Sequence, residues 1–215
     1  EKDLLKAHAV MMNSLTDDAG RFRHGGVGVF AGEKCVHLAP PATRVPFLIG
    51  DLFDWLKHSK DHLLIRSCVF HYEFEFIHPF SDGNGRMGRM WQTLLLMQWK
   101  PIFAWLPVET IVKENQQKYY DAIALSDKQG NSTAFITFML KCILASLKEM
   151  CESNQKSNQK VLSAISENPD ITIKELQTLI GLSESGIKKI LRQLRNDGVI
   201  VRIGGAKGGH WEILK

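Results

Sequence analysis

Residues 78–89 read HPFSDGNGRMGR, which places one histidine, one aspartate, one asparagine, two arginines and three glycines within twelve positions. Three chemistries fit parts of this string. Gly83, Gly85 and Gly88 match G-x-G-x-x-G, and Glu109 follows about 20 residues later, as a dinucleotide fingerprint requires. That fingerprint needs a preceding buried strand in an alternating β/α chain, whereas the residues before it here have helical period. A calcium loop would use Asp82 and Asn84 as first and third ligands, but Met87 stands where its glycine is needed and Thr93 where its last acid is needed. The third reading is a glycine loop that opens a helix and holds an anion. Its backbone N–H groups and the positive end of the helix beginning near Arg86 attract phosphate. Arg86 and Arg89, three apart, share one face and can fork onto phosphate oxygens. Asp82 would repel bare phosphate, so its place suits a Mg²⁺ (or Mn²⁺) ion between them. His78 stands where a general base could take a proton from an incoming hydroxyl.

Outward from this stretch the periodicity is mostly helical. Leu48, Leu52, Trp55 and Leu56 fall at helical spacing, as do Ile65, Cys68, Val69, Tyr72 and Phe76, and residues 87–99 and 134–150 form two further apolar helices. Residues 26–41 differ: two β-prone runs flank residues 31–34 and end at two prolines, which predicts a hairpin flap. Residues 151–160, CESNQKSNQK, repeat SNQK and lack large apolar groups, marking a linker or the worn end of a helix. Beyond it the pattern predicts three short helices, with Thr172 and Ser183 as N-caps and Gly181 and Gly198 as stops, then two strands around a glycine-rich tip. That order is the layout of a winged helix-turn-helix. The expected organisation is therefore a mainly α body with one β-flap over 1–150, a linker over 151–160, and a small α+β domain over 161–215.

Composition sets the outer limits. A hydrophobic share of 44% and a charged share of 23% are ordinary for a globular chain with a core. No apolar run approaches the roughly 20 residues of a membrane span. The four cysteines form no C-x-x-C pair, which predicts reduced thiols in a cytoplasmic protein. Residues 1–152 hold 17 Lys+Arg against 17 Asp+Glu, and residues 153–215 hold 10 against 6, so the net charge of +4 belongs to the tail. A basic tail points to an acidic partner. In its third helix Ile187, Ile190, Leu191 and Leu194 face inward, which leaves Ser185, Lys188, Lys189, Arg192 and Arg195 exposed for DNA, with Arg202, Lys207 and His210 on the wing.

The twelve residues match the H-x-F-x-D-G-N-G-R-x-x-R signature of the Fic family at every fixed position. The chain also resembles Fic proteins in HYEFEFIHPF, in a flap ending HLAPP, and in ENQQKYYDAI followed by FITFML, over roughly residues 4–150. The resemblance implies a Fic-type helical bundle and a protein adenylyltransferase that moves AMP from ATP to a Ser, Thr or Tyr hydroxyl of a target, itself included. His78 would be the base and Phe80 a core anchor. Asp82 would hold Mg²⁺ (or Mn²⁺), and Gly83, Asn84 and Gly85 would cradle anions. Arg86 and Arg89 would bind the outer phosphates, with Met87 and Gly88 in the same nucleotide-binding turn. Tyr119 and Tyr120 would line the adenine side, and Val36, His37 and Leu38 would bind the target as an added strand.

Fic proteins often carry an inhibitory helix of pattern [S/T]-x-x-x-E-[G/N]; the match here is Ser163, Glu167 and Asn168, in the tail. Glu1 opens within a helical pattern, which suggests a trimmed chain whose inhibitory helix lay upstream. A second expectation, from a different class, is a DNA-binding regulator whose Fic core senses a nucleotide without turnover. Within the enzyme class, transfer of phosphocholine or of the γ-phosphate is the other possibility the resemblance carries.

Overall fold

The computed structural model describes residues 1–31, 34–205 and 208–214, with side chains in 29–37 outside the description. It divides into two compact units, Glu1–Ser146 and Leu147–Lys215. The first contains α1 (Lys2–Met11), a hairpin of β1 (Gly28–Ala31) and β2 (Lys34–Leu38), then α2 (Val45–His58), α3 (Leu63–Ile77), α4 (Asn84–Trp99), α5 (Val108–Glu114) and α6 (Gln116–Gln129). Next come α7 (Thr133–Glu167), α8 (Ile173–Ile180), α9 (Glu184–Asn196) and a ribbon of β3 (Ile200–Ile203) and β4 (His210–Ile213). The mainly helical body, the flap and the winged-helix tail all stand as the sequence predicts.

Helix α3 is the centre of the first unit. The sequence pattern suggests one apolar stripe, but Phe70, His71, Phe74 and Glu75 are buried as well, and Phe76 is exposed. A central helix packs on nearly all sides, so a single stripe underestimates it. Phe70, Phe74 and Ile77 meet Leu4 of α1, Ile49, Leu52 and Leu56 of α2, and Met87 and Leu95 of α4 in one core. Helix α3 stops at His78, which takes a left-handed conformation (φ 50°) just before Pro79, a residue that cannot extend a helix. Helix α4 starts after Gly83, also left-handed at φ 84°. The twelve-residue motif is therefore the turn between the two most intimately packed helices.

The flap is an antiparallel pair whose register runs Gly28 with Leu38 and Val29 with His37, then skips Val36 so that Phe30 faces Cys35. Such a bulge bends the ribbon locally. Val36 and His37 lie in β2, their side chains outside the description; Leu38 is exposed.

The stretch 151–160, expected as a linker or a worn helix end, is helical throughout and lies inside α7. Its Glu, Gln and Lys residues are good helix formers, and it has no Pro or Gly to break the ladder. In the second unit Val161, Ile165, Leu176, Ile187, Leu191, Leu194, Ile200 and Trp211 form a separate core. Thr172 and Glu175 make a reciprocal capping box at α8, Ser183 caps α9, and Gly181 ends α8 left-handed. Ser185, Lys188, Lys189, Arg192 and Arg195 are exposed on α9, while Lys207 lies outside the described residues.

Candidate active site

The turn between α3 and α4 is held from three directions. Phe80 is fully buried and stacks on His8 of α1, ring centroids 3.6 Å apart and nearly parallel. Gly20 donates its backbone N–H to His8 Nδ1 (2.8 Å), so Nε2 carries the hydrogen and donates to the carbonyl of Asp82 (3.0 Å). The Asn84 side chain clasps the loop from within, accepting from the Phe80 N–H (2.8 Å) and donating to the Phe80 carbonyl (2.7 Å). Arg23, 2% exposed, donates to the carbonyls of His78 (2.7 Å), Ile77 (3.2 Å), Gly25 (2.8 Å) and Pro40 (2.5 Å). One guanidinium thus joins the open carbonyl end of α3 to both ends of the flap. It also fixes the left-handed backbone of His78, a conformation that costs about 1–3 kcal/mol unless its surroundings impose it.

These contacts orient the imidazole. His78 Nδ1 lies 3.2 Å from the carbonyl oxygen of Glu75, which can only accept, so Nδ1 carries the hydrogen and Nε2 the lone pair. The tautomer is the one a general base acting through Nε2 requires.

On the other side of the turn the first N–H groups of α4, from Asn84, Gly85 and Arg86, have no place in the helix's own ladder. Asp82 is exposed, accepts the Gly83 N–H (2.6 Å), and approaches Arg86 at 3.6 Å. Gly83 needs its left-handed φ, and a Cβ there would sit 2.7 Å from Met12 Sδ. Arg89 lies over Gly85, its Nη1 within 2.7 Å of where a Cβ would be, and is ion-paired to Glu109 of α5. Burial works against the charge of Arg89, but Glu109, Tyr119 and Glu75 outweigh it and raise its pKa.

His78, Asp82, Gly83, Asn84, Gly85, Arg86 and Arg89 are therefore brought together in one turn. Met87 and Gly88 are not on its open side; both are buried, Met87 in the apolar core and Gly88 against His71 and Glu75 of α3. Tyr119, predicted for the adenine side, is 2% exposed and its hydroxyl meets His71 (3.1 Å), which makes it part of the core. Tyr120 packs edge-on against it and is half-buried. Ser163, Glu167 and Asn168 belong to the second unit, where Asn168 accepts the Asp170 N–H (3.1 Å) at the end of α7.

Four residues of the site escape the sequence reading. His8 and Arg23 give no periodic signal. Glu109, which fits the sequence only as the distant acid of a dinucleotide fingerprint, pairs with Arg89. Glu75 does carry a signal, because an acid four residues after His71 falls on the same face of the helix, among Phe70, Phe74 and Ile77.

The sequence pattern of the Fic/DOC family matches residues 1–96, and that described as winged helix-turn-helix DNA-binding matches residues 155–201. A crystal structure of a Fic family protein from Desulfovibrio desulfuricans G20 aligns with 99% of this chain and 68% of its own, at 41% identity and TM-score 0.68. The chain belongs to the Fic family. Fic-1 from C. elegans aligns with 73% of the chain and 44% of its own length, at 25% identity and TM-score 0.57. The Culex quinquefasciatus "Protein adenylyltransferase Fic" is 31% identical over 145 residues, covering 66% of this chain and 27% of that protein. The Aedes aegypti protein of the same name gives 31% over 146 residues, again 27% of its length. The chain thus spans about a quarter of these curated Fic relatives. Among the described residues no helix is long and apolar enough to cross a membrane.

Proposed function

We propose that this chain is a protein adenylyltransferase that transfers AMP from ATP to a Ser, Thr or Tyr hydroxyl. The observation that carries the reading is the His78 tautomer: its Nδ1 hydrogen is turned to the Glu75 carbonyl, so Nε2 is the basic atom, on the turn that leads into the N-terminus of α4. The target hydroxyl attacks the α-phosphorus as Nε2 takes its proton. The new O–P bond forms while the bond from the α-phosphorus to the bridging oxygen breaks, and pyrophosphate leaves. Charge grows on the phosphates, where the first N–H groups of α4, Arg86 and Arg89 can stabilise it. The named activity of the Culex and Aedes relatives agrees with this chemistry.

The site suits Mg²⁺ or Mn²⁺. Among the described residues no cluster of three or more His, Cys, Asp or Glu could hold an ion by itself, and Mg²⁺ beside a nucleotide commonly uses one or two carboxylates plus phosphate oxygens. Asp82, exposed at the turn, would be that carboxylate. When bound, the ion supplies charge neutralisation between the phosphates.

The flap is a two-stranded ribbon, so it has open edges onto which a target segment can add as a strand. The second unit we assign to duplex DNA. A cleft of about 840 Å³ is lined by Lys174, Lys188, Arg192, Arg195 and Arg202 as well as Asp170 and Glu184. Lys188 is paired to Glu184 (2.5 Å), and Arg202 packs over Trp211 and donates to the Gly209 carbonyl (2.8 Å). Arg192 and Arg195, both exposed, are thus the better phosphate contacts.

The test is incubation with ATP labelled on the α-phosphate and Mg²⁺, beside His78→Ala. Label on the chain or on lysate proteins, lost in the variant, is expected. No label in either, with ATP still bound, would favour a regulator that senses nucleotide without turnover.

A further inference from the structure

Beneath the phosphate-binding turn lies a buried polar cluster centred on Glu75. The carboxyl is 4% exposed, one turn before His78 on α3, and its Oε1 is buried with no hydrogen-bond partner. A buried oxygen left this way is destabilising, and such groups are few in folded proteins. Two imidazoles flank it: His71 Nε2 is 3.8 Å from Oε1, and His78 Nδ1 is 3.8 Å from Oε2. Arg89 from α4 and Tyr119 from α6 are the other ionisable groups that act on it.

His71 cannot serve as its counter-cation. Its Nδ1–H donates to Gln92 Oε1 (2.6 Å), so its Nε2 accepts the Tyr119 hydroxyl (3.1 Å) and turns a lone pair toward Glu75. Burial also drives the His71 pKa down to about 3. Arg89 is already ion-paired to Glu109. That leaves His78, whose Nδ1–H edge lies over Glu75 while its Nε2 is the basic atom.

We propose that Glu75 is a positioning residue for His78, whose carboxylate stabilises the imidazolium formed when Nε2 takes the proton of the target hydroxyl. The inference rests on the transferase reading. No further atom moves: the proton stays on Nε2, and Glu75 supplies charge beside Nδ1, as the orienting acid does in a Ser-His-Asp triad. Burial raises the Glu75 pKa to about 7, with Arg89 opposing, so the carboxylate form is available at neutral and alkaline pH. Gly88 gives the carboxyl its room, since a Cβ there would lie 2.8 Å from Oε1.

The test compares Glu75→Gln and Glu75→Asp with the unaltered chain. In Glu75→Gln, kcat for AMP transfer should fall about 10-fold to 100-fold, within the roughly 10²–10⁴ a general base supplies, with KM for ATP changed less than about twofold. A nearby negative charge favours the protonated imidazole. Its removal should therefore shift the acidic limb of the kcat profile to lower pH, and Glu75→Asp should restore part of both effects. A second readout is independent of turnover: carbethoxylation of His78 by diethyl pyrocarbonate, followed by mass spectrometry across pH. Its midpoint should move to lower pH in Glu75→Gln. An unmoved midpoint and limb would overturn the proposal, even if kcat fell, because they would assign Glu75 a packing role only. If the unaltered chain transfers no AMP, the transferase reading falls, and the carbethoxylation midpoint alone still decides whether Glu75 acts on His78.

Discussion

Glu75→Gln should make the first unit more stable at alkaline pH while making it a worse catalyst. The buried carboxyl has its pKa raised from 4.5 to about 7. A raised folded-state pKa means stability that is fully present below pH 4.5 and lost as pH rises through 7. At 1.36 kcal/mol per unit, the 2.5-unit difference sets a ceiling of about 3 kcal/mol on that loss. Gln cannot ionise, so the variant escapes it. His71, held neutral by burial, acts in the opposite sense below pH 6.5, but it does so in both proteins and cancels from the difference. The assay is urea unfolding at pH 4 and pH 8.5 followed by tryptophan fluorescence. Trp55, Trp91, Trp99 and Trp105 all lie in the first unit and only Trp211 in the second, so the signal reports mainly the first. The stability of Glu75→Gln relative to the unaltered chain should rise by about 1–3 kcal/mol between the two pH values. A difference that stays flat across this range would show that the carboxyl titrates normally and refute the reasoning.

Other expectations follow from single contacts. Arg23→Lys keeps the charge but cannot fork onto four carbonyls, so the first unit should lose about 2–4 kcal/mol in urea unfolding, with ATP binding weakened as the motif turn loosens. Gly83→Ala meets both a left-handed backbone and Met12, and should cost about 2 kcal/mol or more together with most nucleotide affinity, read by calorimetric titration with ATP. Glu109→Ala releases Arg89 for the outer phosphate; KM for ATP should drop severalfold while affinity for AMP stays level. In the second unit, Arg192→Ala should weaken binding to duplex DNA uniformly across sequences and reduce the salt slope of log K by about 1, measured by fluorescence anisotropy.

Much of this molecule is legible in one dimension because its signals are local. The motif from His78 to Arg89, the caps at Thr172 and Ser183, the stops at Gly181 and Gly198 and the hairpin before Pro40 all arise from residues within a few positions of one another. Spacing alone therefore fixes the helix starts, the turn that collects His78, Asp82, Arg86 and Arg89, and the winged-helix order. The polar run 151–160 misleads because low hydrophobicity is shared by linkers and by solvated helices, and only packing on either side decides between them.

Tertiary structure alone decides how the turn is held. Arg23 reaches His78 across 55 residues, His8 reaches Asp82 across 74, and Glu109 meets Arg89 across 20. None of these pairs has a period or a motif, since each depends on where separate helices and the flap happen to converge. The same holds for Glu75, whose burial comes from α4 and α6 closing over α3. The sequence by itself names the groups proposed to handle phosphate and proton. The fold supplies the buried carbonyls, rings and carboxylate around them, because desolvation and orientation are properties of a packed interior and not of a string of residues.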